Sequence, residues 1–324
     1  AIGKTLTLFS PIPTPVVDWV DWGWNWLAEK YYGLDKPLPG VDLTSNARVG
    51  SARDPNDILG PAGFGADHWL RATVPSMAYT IRFENAADAS LAAQRVYITQ
   101  TLDADLDWAS FEWESLGFGE HTILIPDGLN TYAARLDLRT SLNLYVDVNA
   151  DLNLKTGLLS FELVAVDPLT EGPPRDPLAG FLPPNVTSPE GQGYVAYKIK
   201  PESGLATGTR LDAAADIIFD SNETIATPPF HNLLDAAPPS ACTVDPLPAI
   251  TTQAVFEVTW NASDDPGGSG IGAHEVYVAT NNGAFQPWLL DFNLESALFG
   301  GERGQTYGFY CRAVDNVGYW LPYE

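Results

Sequence analysis

Apolar and polar positions alternate with a period of two along much of the chain. Residues 78–83 and 95–99 alternate strictly, and residues 142–148, 158–166, 194–199 and 216–219 follow, each bounded by Gly, Pro, Asn or Asp. Period two places successive side chains on opposite faces of an extended chain, so each run predicts a strand with one buried face. Several short strands at this spacing predict an antiparallel sandwich. Between them, residues 168–189 carry Pro173, Pro174, Pro177, Pro183 and Pro184. These withhold ladder donors and exclude a central strand there.

The pattern changes at Asp235-Ala236-Ala237-Pro238-Pro239, which reads as a short, stiff linker. Beyond it, residues 254–260, 273–280, 285–290 and 306–314 predict further strands, with Phe256, Val258 and Trp260 on one face. Asn281-Asn282-Gly283 is a strong hairpin turn. The first 46 residues differ again. Trp19, Val20, Trp22, Trp26 and Leu27 suggest an amphipathic helix over residues 16–32, stopped by Gly33 and Pro37. Such a helix either docks on a membrane interface or partner, or folds back onto its own sandwich. Acidic Asp18, Asp21 and Glu29 favour the second. The fold expectation is therefore all-β: two immunoglobulin-like antiparallel β-sandwiches, residues 47–235 and 240–324, after a short N-terminal amphipathic helix within residues 1–46.

Charge narrows the function. Against 17 Lys plus Arg stand 41 Asp plus Glu, a net charge of −24. Nucleic-acid binding needs clustered cations to release phosphate counterions, so no nucleic-acid partner is expected. Docking on an anionic membrane is excluded on the same ground. With 45% hydrophobic residues the chain is no disordered acidic tail. No apolar run reaches the roughly 18 residues of a transmembrane span. Both a removed signal peptide and a start inside a longer protein leave Ala1 first, and the residues do not separate the two. An acidic, Lys-poor chain with two Cys reads as exported.

Five segments, in order, resemble a domain of very large bacterial surface and secreted proteins. They are residues 51–65 with Asp54-Pro55-Asn56-Asp57, residues 79–85, residues 102–108, residues 180–185 and residues 219–228. The pattern is similar to the wider group of conserved-repeat, immunoglobulin-like surface domains and covers roughly residues 48–235. Residues 258–271, 275–278 and 307–318 resemble the fibronectin type III modules that often follow. The resemblance implies an extracellular structural or adhesive module, with no catalytic residues to carry over.

Candidate chemistry lies in oxygen-rich runs. Calcium takes roughly 6–8 oxygen ligands from carboxylates, amide carbonyls and backbone. In the first sandwich the candidates are Asp54, Asn56 and Asp57 with Asp220 and Asn222, at the two ends of the domain. Asp147, Asn149 and Asp151 form a second run, and Asp103, Asp105 and Asp107 a third. The run from Asp147 is no EF-hand, because its sixth and twelfth positions are Leu152 and Leu158. In the second sandwich, Asp264 and Asp265 follow one strand and Asp315 and Asn316 another, and a fibronectin-like topology brings those loops to one end. Solvated turns are the alternative for every run.

His68, His121, His231 and His274 show no zinc spacing, and the chain has no nucleophile elbow, P-loop or dinucleotide fingerprint. No enzyme is expected. Ten Trp invite a glycan-binding reading; Trp108, Trp113, Trp260 and Trp288 fall at strand positions that suit a core. Cys242 and Cys311, the only cysteines, predict a disulfide in an exported chain. The leading expectation is a non-enzymatic, calcium-stabilised extracellular module on a bacterial surface or secreted. Two alternatives remain open. One is a filament subunit in which Lys4–Phe9 adds as a strand to an identical subunit; the other is a carbohydrate-binding accessory module.

Overall fold

A computed structural model describes residues 56–322. The N-terminal helix, the strand at residues 4–9 and Asp54 lie outside the described residues. Twenty strands and no helix occur among the described residues, and no helix there is long and apolar enough to cross a membrane.

The first half builds two facing layers. One is a five-stranded sheet ordered β1 (Asp57–Leu59), β3 (Met77–Glu84), β10 (Gln192–Pro201), β5 (Leu106–Phe118) and β6 (His121–Leu124). The other has six strands ordered β13 (Ile225–Ala226), β12 (Asp216–Phe219), β4 (Arg95–Thr101), β9 (Leu158–Val166), β8 (Leu144–Asn153) and β7 (Thr131–Leu138). Every pairing in both layers is antiparallel. The alternation in β3 turns Tyr79, Ile81 and Phe83 inward, and that in β4 turns Val96 and Ile98 inward. Trp113 on β5 faces Phe161 on β9 with ring centroids 6.2 Å apart, and the Tyr197 hydroxyl donates to Gln100 Oε1 across the layers at 2.9 Å. Each fully buried large side chain contributes roughly 1.5–3 kcal/mol.

Strand β5 is the longest in the structure and breaks the alternation. Its apolar residues come in pairs, Leu106 and Trp108, Phe111 and Trp113, Leu116 and Phe118. Each pair keeps period two, but two residues lie between one pair and the next. The register against β10 shifts twice, between Ala196 and Tyr197 and between Lys198 and Lys200. The first shift leaves Glu114 as one extra residue on β5, and the second sets residues 108–111 against Ile199, so the alternation is reset twice along the strand.

A small sheet of β11 (Arg210–Ala213), β14 (Phe230–Asp235) and β2 (Leu70–Arg71) closes one end of this half, with β14 and β2 parallel. From there the chain enters a second pair of three-stranded sheets. One is ordered β15 (Ala241–Val244), β16 (Val255–Ser263) and β19 (Ser296–Gly300). The other is ordered β18 (Gln286–Phe292), β17 (Ile271–Thr280) and β20 (Tyr307–Asp315). Asn281 and Asn282, both at positive φ, make the β17–β18 turn. The core is separate and smaller: Val258, Trp260, Val276 and Cys311, with Trp288, Phe299 and Phe309 packed against them.

The disulfide is present. Cys242 on β15 and Cys311 on β20 are bonded, with Cα atoms 5.7 Å apart. It ties the two small sheets across their core. Replacing both cysteines by Ser is expected to cost on the order of 3–4 kcal/mol. The check is differential scanning calorimetry of the full chain. A resolved transition assigned to residues 240–324 should move to lower temperature, while the transition of the larger core stays in place.

Candidate metal centre

Three carboxylates meet where the two halves join. Asp235 ends β14, Asp264 follows β16 and Asp315 ends β20. One oxygen from each lies within 4.8 Å of the others, and this is the one group of three His, Cys, Asp or Glu with such spacing among the described residues. None of the three pairs with a cation among the described residues. Asp235 is fully buried and Asp315 is 3% exposed.

Local sequence explains how the loops converge. Residues 264–270 read Asp-Asp-Pro-Gly-Gly-Ser-Gly, too poor in side chains to hold a strand. The loop therefore folds onto the carboxylates instead. The Ser269 amide donates to Asp235 Oδ2 at 2.8 Å and the Gly270 amide to Asp264 Oδ2 at 2.6 Å. A Cβ on Gly268 would stand 2.3 Å from Asp265 Oδ1 and 2.7 Å from Asp264 Oδ2, so only glycine allows this approach. Asp315 Oδ1 accepts from the Val317 and Tyr319 amides, which curls the chain beyond β20 into a turn. Asn316 donates to the Ser269 carbonyl and ties that turn to the 264–270 loop.

After these bonds, oxygens remain. Asp315 Oδ2, Asp264 Oδ1, Asp265 Oδ1 and Ser269 Oγ are buried without a hydrogen-bond partner among the described residues. An unmatched buried polar atom costs about 1–3 kcal/mol, more if charged. Burial lifts the Asp315 carboxyl to about 6, opposed by the Tyr319 amide and reinforced by Asp235 and Asp264. Burial also raises Asp264, partly offset by its bonds to Gly270 and Asp265. A divalent cation reverses this balance, since it favours the ionised form of every carboxylate it touches. An all-oxygen set drawn from irregular loops suits a hard ion with adaptable geometry such as calcium.

The other candidates stand apart. Asp57 is paired with Arg82, and Asn56 Oδ1 accepts from the Glu84 amide. Asp220, at positive φ, accepts from the Gln94 and Arg95 amides through Oδ1. Asn222 closes the same turn through a backbone bond to Phe219. Asp147, Asn149 and Asp151 do not form a loop. They sit at alternate positions of β8, and Asp147 is bound to Arg135; alternate residues on one strand face spread oxygens along it rather than toward one point. Asp103 caps the Asp105 and Asp212 amides, and Asp107 lies within β5. Among the second-half candidates, the structure gathers Asp264 and Asp315, with Asp265 and Asn316 beside them. In the sequence Asp235 stands only as the start of a stiff linker; the available signal is an Asp closing an apolar strand three residues before Pro238-Pro239. Of the described Trp residues, Trp113 and Trp260 are buried, Trp288 packs on Phe299 and Phe309, and exposed Trp320 lies under Arg312.

A family profile described as "Domain of unknown function (DUF7619)" is similar to residues 54–124 and 180–233, less than half of the chain. No curated protein matches. Among solved structures, the collagen-binding domain from a Staphylococcus aureus adhesin is 9% identical, with a TM-score of 0.30, covering 57% of this chain and 99% of that one. BcpA, the major pilin subunit of Bacillus cereus, is 11% identical with a TM-score of 0.31, covering 78% of this chain and 54% of the pilin. The Corynebacterium diphtheriae major pilin SpaA is 10% identical with a TM-score of 0.27, covering 82% and 56%. The chain thus spans about half the length of each pilin. Likenesses this slight carry no argument about ligand or partner.

The raised Asp315 value has a consequence for metal-free protein. The folded state holds this proton more tightly than the unfolded chain, whose Asp titrates near 3.9. The associated stability is complete below about 4 and is lost as pH rises through about 6. In chelator, urea unfolding should therefore show stability falling by on the order of 2–3 kcal/mol from pH 4 to pH 7 at this group. Asp315→Asn should flatten that slope.

Proposed function

We propose that the chain is a non-enzymatic extracellular structural or adhesive module, of bacterial secreted or cell-surface type, stabilised by calcium. Its two immunoglobulin-like sandwiches are residues 47–235 and 240–324, the second of fibronectin type III kind. The observation that carries the calcium reading is Asp315: a carboxylate 3% exposed whose Oδ2 has no donor and which faces two further carboxylates. Folding does not retain such a group at neutral pH for its own stability. An ion that uses the orphaned oxygens explains both their burial and their convergence. The disulfide fits an oxidising compartment outside the cytosol. Its partners are neighbouring domains or identical subunits in a larger surface assembly.

Calcium that binds only the native state stabilises it by mass action, about 2.7 kcal/mol at a hundredfold excess over Kd. Calorimetric scans of the full chain with calcium chloride and with chelator should differ by several degrees. Asp315→Ala should remove most of that difference while the chelator scan still shows cooperative unfolding. Superimposable wild-type scans contradict calcium stabilisation.

A further inference from the structure

We infer that the ion at this centre is shared between the two halves, with Asp235 as the ligand contributed by the first, so that calcium locks the junction. This rests on the calcium reading above and adds what the ion does there.

The junction is polar. No buried apolar residue belongs to both cores. What crosses it is hydrogen bonding. Arg71 on β2 donates Nε to the Val317 carbonyl at 2.6 Å and Nη2 to the Gly318 carbonyl, and its guanidinium stacks 4.5 Å over the Tyr319 ring. Thr73 and Tyr319 share a hydroxyl contact of 3.0 Å. The remaining link is Asp235 itself. Its backbone carbonyl accepts from Ala72, and its carboxylate accepts from Ala237 and from Ser269. Two amide bonds leave a carboxylate with acceptor capacity to spare. That capacity lies fully buried, within 4.8 Å of oxygens from Asp264 and Asp315 and with no cationic side chain paired to it among the described residues.

The two sides are thus drawn together by neutral donors and pushed apart by like charge. Asp235 belongs to the first half by its ladder, since its Cα partner is Arg71 on β2. Asp264 and Asp315 belong to the second. One divalent cation between them turns three repulsive pairs into three attractive ones. Calcium accepts this arrangement because it takes roughly 6–8 oxygens without strict geometry. Asp264 Oδ1 and Asp315 Oδ2 are available in the loops, and solvent completes the shell. The chain joining the halves, Ala236-Ala237-Pro238-Pro239, is short and stiff, so an ion at Asp235 acts on the joint with little slack.

The test uses the full chain and calcium chloride. Calorimetric titration should show Asp235→Asn and Asp315→Asn each weakening calcium binding on the order of 10- to 100-fold. Hydrogen exchange of unmutated protein, which needs no variant to fold, should show calcium slowing exchange on both sides: at Ala72 and Ala237, and at Ser269 and Gly270. If Asp315→Asn loses calcium while Asp235→Asn binds as tightly as wild type, the ion belongs to the second half alone and the lock is wrong, although calcium stabilisation stands. Protection confined to residues 264–270 and 315–319 overturns the lock in the same way. No calcium heat in the wild type removes the underlying reading.

Discussion

A buried carboxylate short of donors is costly, and the junction sets one, Asp315, beside two further carboxylates, Asp235 and Asp264. Asp315 shows the constraint most clearly, with one oxygen satisfied by two backbone amides and the other by none. Much around it follows. The 264–270 loop contains three glycines, and at Gly268 a side chain would collide with the carboxylates. The turn after β20 is built from donors to Asp315, and that turn is what Arg71 reaches from the other half. The charge cluster, the loop composition and the contact between halves form one system.

The larger core was legible because its strands obey a simple rule. β3, β4, β9 and β10 keep one face buried at period two, and their expected bounds fall within the observed ones. β5 is legible only at Trp108 and Trp113, which stand at strand positions, because two register shifts against β10 break strict alternation along its length. β7 is not among the expected strands; at the sheet edge its Tyr132, Ala134 and Leu136 are only partly buried against the core, and Leu138 alone is buried. Edge strands are specified by their neighbour more than by their own sequence. The disulfide was legible from cysteine count alone.

The candidate site was half legible. An acidic doublet, Asp264-Asp265, and an Asp315-Asn316 pair after strands in the second half announced a shared pole, and topology delivers Asp264 and Asp315 there. Asp235 could not be placed in the same way, because its contribution depends on where β14 ends relative to a sheet closed by the parallel strand β2. The first-half candidates illustrate the converse. Asp57, Asp147 and Asp220 have the residue types a cation needs, yet the fold spends them on Arg82, Arg135 and backbone amides. An acidic chain has many such residues, and only geometry decides which are left with unused oxygens.

The central claim is that the unused oxygens at the junction hold one cation. Diffraction from crystals of the full chain grown with a calcium-mimicking lanthanide tests this directly through anomalous scattering. The account predicts a single strong peak about 2.3–2.6 Å from oxygens of Asp235, Asp264 and Asp315. A junction with no anomalous peak, its carboxylate oxygens bonded to water or protonated against one another, would contradict it.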